Sequence, residues 1–262
     1  MEMKKALSEG LPRLGLELPE DRQQRLCDFG RAVIEQNKVM NLTAITEPDQ
    51  VAKLHLLDSL SILAVKDLRG KKMVDVGCGA GFPGVPVKIA CPEVKLTLLD
   101  SLGKRMNWLE TILPQLGVEA NCVTARAEEA VAAVRESYDV ATSRAVARLN
   151  ILLELTAPFV KVGGFVLAMK GTAAMEELEE AKKAIATLGG KVKGDLVLLE
   201  SDERFARLTF RHIKPTLFAV TNLYRDQLTR NAHPFHIYGI IKEAVDLIPN
   251  ARLVLNADDP IV

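Results

Sequence analysis

Val74-Asp75-Val76-Gly77-Cys78-Gly79-Ala80-Gly81-Phe82-Pro83-Gly84 decides the fold of this 262-residue chain. A short β-branched run, Met73 to Val76, breaks into closely spaced glycines, and an apolar segment from Val85 to Ala90 follows at once. A buried strand turns into a helix in this way, with the amino end of the helix facing a ligand. Glycines let the backbone turn sharply and leave no Cβ between the main chain and the bound group.

The dinucleotide fingerprint needs its third glycine three places after the second, and here Phe82 stands in that place. The spacing is instead Gly77-x-Gly79-x-Gly81, with Asp75 two places before the first glycine. That pattern is commoner in S-adenosylmethionine (SAM) sites, where no pyrophosphate has to sit on the helix end. Downstream, Lys95-Leu96-Thr97-Leu98-Leu99-Asp100 reads as the next strand and ends in a carboxylate. A carboxylate about twenty residues past the glycines can accept hydrogen bonds from both ribose hydroxyls of an adenosine.

Composition sets bounds. At 48% hydrophobic and 26% charged residues the chain is expected to be an ordinary globular protein with a full core. Its 34 basic and 34 acidic residues cancel, so bulk charge gives no argument for nucleic acid and any basic surface has to be local. The cysteines at 27, 78, 91 and 122 fit no zinc spacing and no disulfide framework, and read as free thiols in a reducing cytoplasm. No signal peptide opens the sequence and no apolar run approaches membrane-spanning length, so a cytoplasmic location is expected.

Residues 1–66 read as a helical cap. Leu26, Phe29, Val33 and Ile34 recur at helical spacing after Pro19-Glu20-Asp21, a good helix start. A polar break at Asn41-Leu42-Thr43-Ala44-Ile45-Thr46 follows, and then a helix with His55, Asp58 and Ser59 on adjoining positions. From Lys71 the chain alternates, with strands expected at 72–76, 95–99, 120–124, 138–143, 164–169, 194–199 and 205–211. Helices are expected at 84–90, 102–116, 127–136, 149–158 and 173–188. The fold class is therefore α/β: a Rossmann-like, mostly parallel seven-stranded sheet with helices on both faces, closed by an antiparallel last pair. Glu176, Glu177, Glu179 and Glu180 near the start of the last helix suit its dipole and read as a solvated face.

Ligands of open α/β sheets bind outside the carboxyl ends of the strands. Arg105, Arg126, Arg144 and Lys170 all fall at such ends. One rim of cations on a neutral protein points to a phosphate-rich substrate.

With these residues in view, positions 1 to about 215 resemble the RsmG (GidB) family of bacterial 16S ribosomal RNA guanine-N7 methyltransferases. The resemblance rests on Asn41-Leu42-Thr43, His55-x-x-Asp58-Ser59 and Asp75-Val-Gly77-x-Gly79-x-Gly81-Phe-Pro83-Gly84. Leu99-Asp100-Ser101-x-x-Lys104-Arg105, Ser143-Arg144-Ala145 and Lys170-Gly171 complete it. It implies SAM as cofactor, held by Asp75, Gly77, Gly79, Gly81, Phe82, Asp100, Ala127, Glu128 and Arg144. Asn41, His55, Asp58, Lys104, Arg105 and Lys170 fall to the substrate, with Arg144 and Lys170 the candidates for gripping the base or its flanking phosphate. The implied partner is 16S rRNA or a small-subunit assembly intermediate, without DNA or membrane. N7 of guanine carries a free lone pair at neutral pH, so no general base is needed and no single decisive catalytic residue is expected. The enzyme has mainly to align donor and acceptor.

The likeness ends near Arg211-His212-Ile213-Lys214-Pro215. Beyond it, Leu217-Phe218-Ala219-Val220-Thr221-Asn222 and Ala251-Arg252-Leu253-Val254-Leu255-Asn256 resemble the central domain of Mur-type ligases, particularly the ligase subunit of lipid II isoglutaminyl synthase. A strand, a helix and a second strand fit that reading, and two coding regions joined near residue 215 would explain it. The phosphate loop of such a ligase is nowhere in the chain, so this tail is no ATP-using ligase by itself. His233-Pro-Phe-His236 lacks a third ligand for a metal site. The expected organisation is a helical cap at 1–66, a methyltransferase domain at 67–215 and the ligase-like fragment at 216–262. Two other functions compete: a nicotinamide-dependent oxidoreductase, and a non-enzymatic RNA-binding or cell-wall-ligase accessory protein on a vestigial methyltransferase fold.

Overall fold

The computed structural model describes residues 2–192 and the backbone of two further strands, Leu217–Val220 and Arg252–Leu255. Central to it is β1 (Lys72–Val76), whose last four residues are all buried. A strand covered on both faces reads as a continuous apolar run, and Met73, Val74 and Val76 supply it. β1 pairs in parallel with β2 (Lys95–Asp100) on one side and β4 (Tyr138–Arg144) on the other. β3 (Asn121–Thr124) lies outside β2, and β5 (Val160–Met169) lies outside β4.

The order β3-β2-β1-β4-β5 means that the chain winds outward from β1, then returns across it. That reversal opens a crevice at the carboxyl ends of β1 and β4, the usual ligand position of such sheets. The crossovers are α5 (Gly84–Ala90), α6 (Gly103–Gln115), α7 (Ala127–Val134) and α8 (Leu149–Thr156), within a residue or two of the expected helices. α9 (Ala174–Thr187) follows β5. The expected strands at 194–199 and 205–211, and the antiparallel closure they would make, lie outside the described residues. The described sheet thus has five strands, all parallel.

β5 starts earlier than the apolar run suggests. Tyr138 pairs with Val160, but Val140 already pairs with Phe165, so residues 161–164 bulge out of the ladder. Gly163 takes φ +82° there and Val162 is 96% exposed. An extra loop of this kind bends the strand and interrupts its ladder with β4.

Ahead of the sheet come α1 (Glu2–Gly10), a 3-10 turn at Pro12–Leu14, and α2 (Glu20–Met40), which begins after Pro19 as expected. α2 ends on Asn41 in the left-handed region at φ 50°, a conformation that asparagine tolerates better than most residues. α3 (Pro48–Val51) runs without a break into a π-helical segment, Ala52–Leu57, and then into α4 (Asp58–Val65). These helices and the sheet share one core. Leu7, Leu26, Phe29, Val33, Leu56 and Leu60 belong to the same buried cluster as Met73, Val85, Leu98, Met106 and Leu109. On the opposite face a smaller cluster of Val74, Val76, Leu99, Ala141 and Phe159 packs under α7.

The chain divides into two compact units, Met1–Lys170 with Glu177–Gly190, and Gly171–Glu176 with Lys191–Val262. In the second, β6 (Leu217–Val220) pairs in parallel with β7 (Arg252–Leu255), Leu217 opposite Arg252. Both fall on the two stretches that resemble a ligase, and parallel strands require a long crossover. The residues of that crossover lie outside the described ones.

Candidate functional site

The loop after β1 meets the ends of β2 and β4. Backbone N–H groups of Gly77 and Cys78 donate to the Leu99 carbonyl at 2.8 and 3.1 Å. Ser143 Oγ on β4 donates to the Val76 carbonyl at 2.7 Å. Gly77, Gly79 and Gly81 all take positive φ, at 70°, 57° and 94°. The space around them differs, however. A Cβ on Gly81 would strike Val85 at 2.7 Å and one on Gly77 would strike Val146 at 2.4 Å, whereas one on Gly79 would meet nothing within 4 Å. Gly79 is therefore the glycine that faces open space.

Two carboxylates hold this loop. Asp100 Oδ2 accepts the Gly79 N–H at 2.9 Å, and Oδ1 accepts the Leu102 N–H at 2.9 Å. Each oxygen keeps a lone pair, so two hydroxyl donors can still be received. Arg105 lies 4.0 Å from Asp100. Asp75 is fully buried: its Oδ2 accepts the Gly84 N–H at 2.7 Å, and its Oδ1 has no hydrogen-bond partner. Burial pushes the Asp75 carboxyl up to about 7, against the opposing pull of the Gly84 N–H and of Arg144.

This arrangement decides between the ligands proposed for the loop. In a dinucleotide site the helix amino end receives a pyrophosphate. Here the first N–H of α5 is already taken by Asp75, and a second carboxylate stands beside the loop. A phosphate would find that N–H taken and the Asp100 carboxylate facing it, whereas a cationic ligand would draw the Asp75 carboxyl toward its charged form. SAM carries a sulfonium, an amino group and a ribose, and the residues present fit each of them. Asp100 would offer negative charge and free lone pairs, Asp75 a carboxyl that a neighbouring cation would ionise, and Gly79 the room. Ala127 and Glu128, the first two residues of α7, leave N–H groups without an intrahelical acceptor for the adenine edge. The Ala125 N–H donates to the Asp100 carbonyl at 3.2 Å and ties that turn to the end of β2.

At the end of β4, Arg144 is 18% exposed and its guanidinium meets the helices of the first 65 residues. Nη1 donates to Asp58 Oδ2 at 2.9 Å and to the Leu54 carbonyl at 3.1 Å, and Nη2 lies 3.1 Å from His55 Nδ1. The guanidinium also sits 5.1 Å from the centroid of the Phe82 ring, on which His55 stacks at 4.8 Å. On its other side, His55 Nε2 lies 2.7 Å from Thr43 Oγ1. His55, Asp58, Phe82 and Arg144 are thus one cluster, and burial followed by the neighbouring Arg144 charge holds the His55 imidazolium below its usual pKa.

The remaining expected residues are placed differently. Lys170 Nζ is bound by Glu177 at 2.7 Å and by the Ala147 carbonyl, with only 12% of the side chain exposed. It ties β5 to α9 and to the loop after β4. Glu177 itself is 14% exposed, accepts the Leu149 N–H at 2.8 Å, and is held below the usual carboxylate range chiefly by its bond to Lys170. The acidic start of α9 is therefore not simply a solvated face. Asn41 is exposed and acts through its backbone as the end of α2. Lys104 and Arg126 are exposed at the same strand-end edge.

Thr43, the Leu54 carbonyl and Ser143 are working parts that no site assignment from sequence included. Thr43 and Ser143 lie inside Asn41-Leu42-Thr43 and Ser143-Arg144-Ala145, and that was their only signal. All four cysteines are free: Cys27, Cys78 and Cys91 are buried and Cys122 is half-buried. His233 and His236 lie outside the described residues. Among the described residues no helix is long and apolar enough to cross a membrane.

Comparison with known proteins agrees with the geometry. The family described as GidB, rRNA small subunit methyltransferase G, matches residues 22–205. A protein named ribosomal RNA small subunit methyltransferase G from Alkaliphilus metalliredigens is 44% identical over 222 residues, which covers 82% of this chain and 93% of that protein. Its namesake from Desulfitobacterium hafniense is 45% identical over 184 residues, 69% of this chain and 76% of that one. A third, from Alkaliphilus oremlandii, is 47% identical over 196 residues, with coverage of 73% and 82%.

Proposed function

From the premise that this chain belongs to the GidB family of rRNA small subunit methyltransferase G proteins, we propose that it methylates N7 of a guanine in 16S rRNA. As a member it is an rRNA methyltransferase that uses SAM. The observation that carries the ligand reading is Asp75 on the amino end of α5: its Oδ2 takes the Gly84 N–H that a phosphate would need, and its buried Oδ1 has no hydrogen-bond partner. SAM, when bound, supplies an electrophilic methyl group. The chain's own work is to hold the two reactants in line, because the N7 lone pair needs no base to create it.

The geometry supports a division of roles among the residues. Asp100, Gly79 and the amino end of α7 receive the adenosine; Asp75 and Phe82 flank the reacting end; Arg144 faces the acceptor. Among the cations, Lys104 and Arg126 are exposed, while Lys170 is engaged inside the fold. RNA phosphates therefore fall to Lys104 and Arg126, and Lys170 supports the loop that carries Arg144. The guanine has to come from an accessible loop, because N7 faces the deep, narrow groove of an A-form duplex. The substrate, free 16S rRNA or a small-subunit assembly intermediate, places the enzyme in the cytoplasm.

Two measurements test this reading. Calorimetric titration of SAM into the protein gives saturable binding, weakened at least about ten-fold by Asp100→Ala, since two loop hydrogen bonds and the ribose contacts are lost together. Mapping of 7-methylguanosine in small-subunit rRNA, with and without the gene, shows one position losing its methyl group; an unchanged map rejects the substrate.

A further inference from the structure

Of the contacts that the helices of the first 65 residues make with the site, the His55 ring touches both Arg144 and Phe82. His55 is 9% exposed and so cannot itself grip a substrate, yet its ring lies between Thr43, Phe82 and Arg144. Its protonation state follows from its neighbours. Arginine never gives up its protons, so an Arg144 Nη2–H directed at Nδ1 requires a lone pair on Nδ1. The imidazole proton then sits on Nε2 and is donated to Thr43 Oγ1 at 2.7 Å. Thr43 Oγ1 also accepts the Ile45 N–H at 3.0 Å, and the Thr43 N–H is held by Asn37 Oδ1 at 2.8 Å, so the hydroxyl is fixed before the histidine arrives.

The Leu54 carbonyl lies 3.0 Å from Nδ1 as well, which taken alone would call for the opposite tautomer. That carbonyl accepts Arg144 Nη1 at 3.1 Å, however. Two acceptors are gathered around one guanidinium, and the proton on Nε2 gives each of them an Arg144 N–H donor. The charged groups facing the ring are Arg144 and Asp58, and they pair with each other at 2.9 Å.

We propose that His55 is a positioning residue for Arg144, locked by Thr43 in the tautomer that turns Nδ1 toward the guanidinium. Resting on the SAM-site reading above, this role makes the N-terminal helices part of the binding apparatus. The Thr43–His55 pair sets the guanidinium opposite the glycine loop and, by stacking, sets the Phe82 ring that follows Gly81. The Ala52–Leu57 π segment makes this possible, because it presents the Leu54 carbonyl and the His55 ring to the same partner. Segments of this kind are rare and concentrate at functional positions.

The test uses the full chain with three readouts: SAM affinity by calorimetry, melting temperature, and the ¹⁵N spectrum of the imidazoles, with the His55 signal assigned by its loss in His55→Asn. Wild-type protein shows the Nε2–H tautomer at position 55. His55→Ala weakens SAM about ten-fold. His55→Asn keeps an acceptor oxygen near the Nδ1 position and stays within about three-fold of wild type. Thr43→Val lowers the melting temperature by the few degrees that two lost hydrogen bonds imply, mixes the two tautomers, and still folds but binds SAM more weakly. An Nδ1–H signal in the wild type, or His55→Ala binding as tightly as wild type, overturns the proposal alone. If the wild type binds no SAM, the site reading falls and the proposal with it. Should His55→Ala fail to fold, Thr43→Val and the wild-type spectrum still decide.

Discussion

At the scale of the residue, Asp75 makes stability and binding pull in opposite directions. Its folded pKa, about 7, lies above the value near 4 of an unfolded carboxylate. Between those values the folded chain holds a proton that the unfolded chain has released. By linkage this group favours the folded state at low pH, and its contribution is lost as pH rises through about 7, an effect on the order of a few kcal/mol. Asp75→Asn keeps an oxygen for the Gly84 N–H and removes the charge. Melting curves between pH 5 and 8 are expected to show the variant gaining on the wild type as pH rises, while its SAM affinity falls. A constant gap across that range would mean that Asp75 is not protonated at low pH.

At the scale of the element, the glycine loop separates residues needed for the turn from the one needed for the ligand. Gly79→Ala meets only the left-handed backbone cost of about 1–2 kcal/mol, because its Cβ would enter empty space. SAM binding is expected to drop far more than stability, which calorimetry and thermal melts on the same sample would show. Gly81→Ala would instead strike Val85 and be destabilising outright. Much of this element was readable in the chain: the β-branched run, the glycine spacing and the carboxylate at Asp100 fix strand, turn and ligand class. What hid was anything set by distant partners. Lys170 looks like a free cation until Glu177, seven residues on, is folded back against it. The bulge at 161–164 could not be seen either, because strand register depends on Tyr138 and Val140 in another element.

At the scale of the whole molecule, the helices of the first 65 residues are not a detachable cap. Leu7, Leu26, Phe29 and Leu56 are fully buried in the cluster that contains Met73, Leu98 and Leu109 from the sheet side. Removing residues 1–66 would uncover that face, at about 25 cal/mol per Å² of apolar surface. Such a truncated chain is expected to be insoluble or to bind an apolar dye, and a well-folded monomer would contradict the shared core. Sequence periodicity located α2, and residues 1–66 read as helical in general, but an apolar stripe could not show that it faces the sheet as well as its neighbouring helices, because a stripe does not name its partner. The parallel pair β6 and β7 belongs to the second unit, on the stretches that resemble a ligase.

The π segment gives this protein an unusual sensitivity to chain length. A π turn accommodates one more residue than the α turn it interrupts. Deleting a single residue anywhere in 52–57 would let the helix close into regular α geometry at little local cost. The flanking turns would stay near their present register, because the wide turn is what absorbs the extra residue, but the Leu54 carbonyl and the His55 ring would no longer be presented together to Arg144. Substitutions on the exposed side of this helix should be tolerated, while a one-codon deletion beside them should abolish activity without unfolding the protein. In this helix the count of residues carries information that their identities do not.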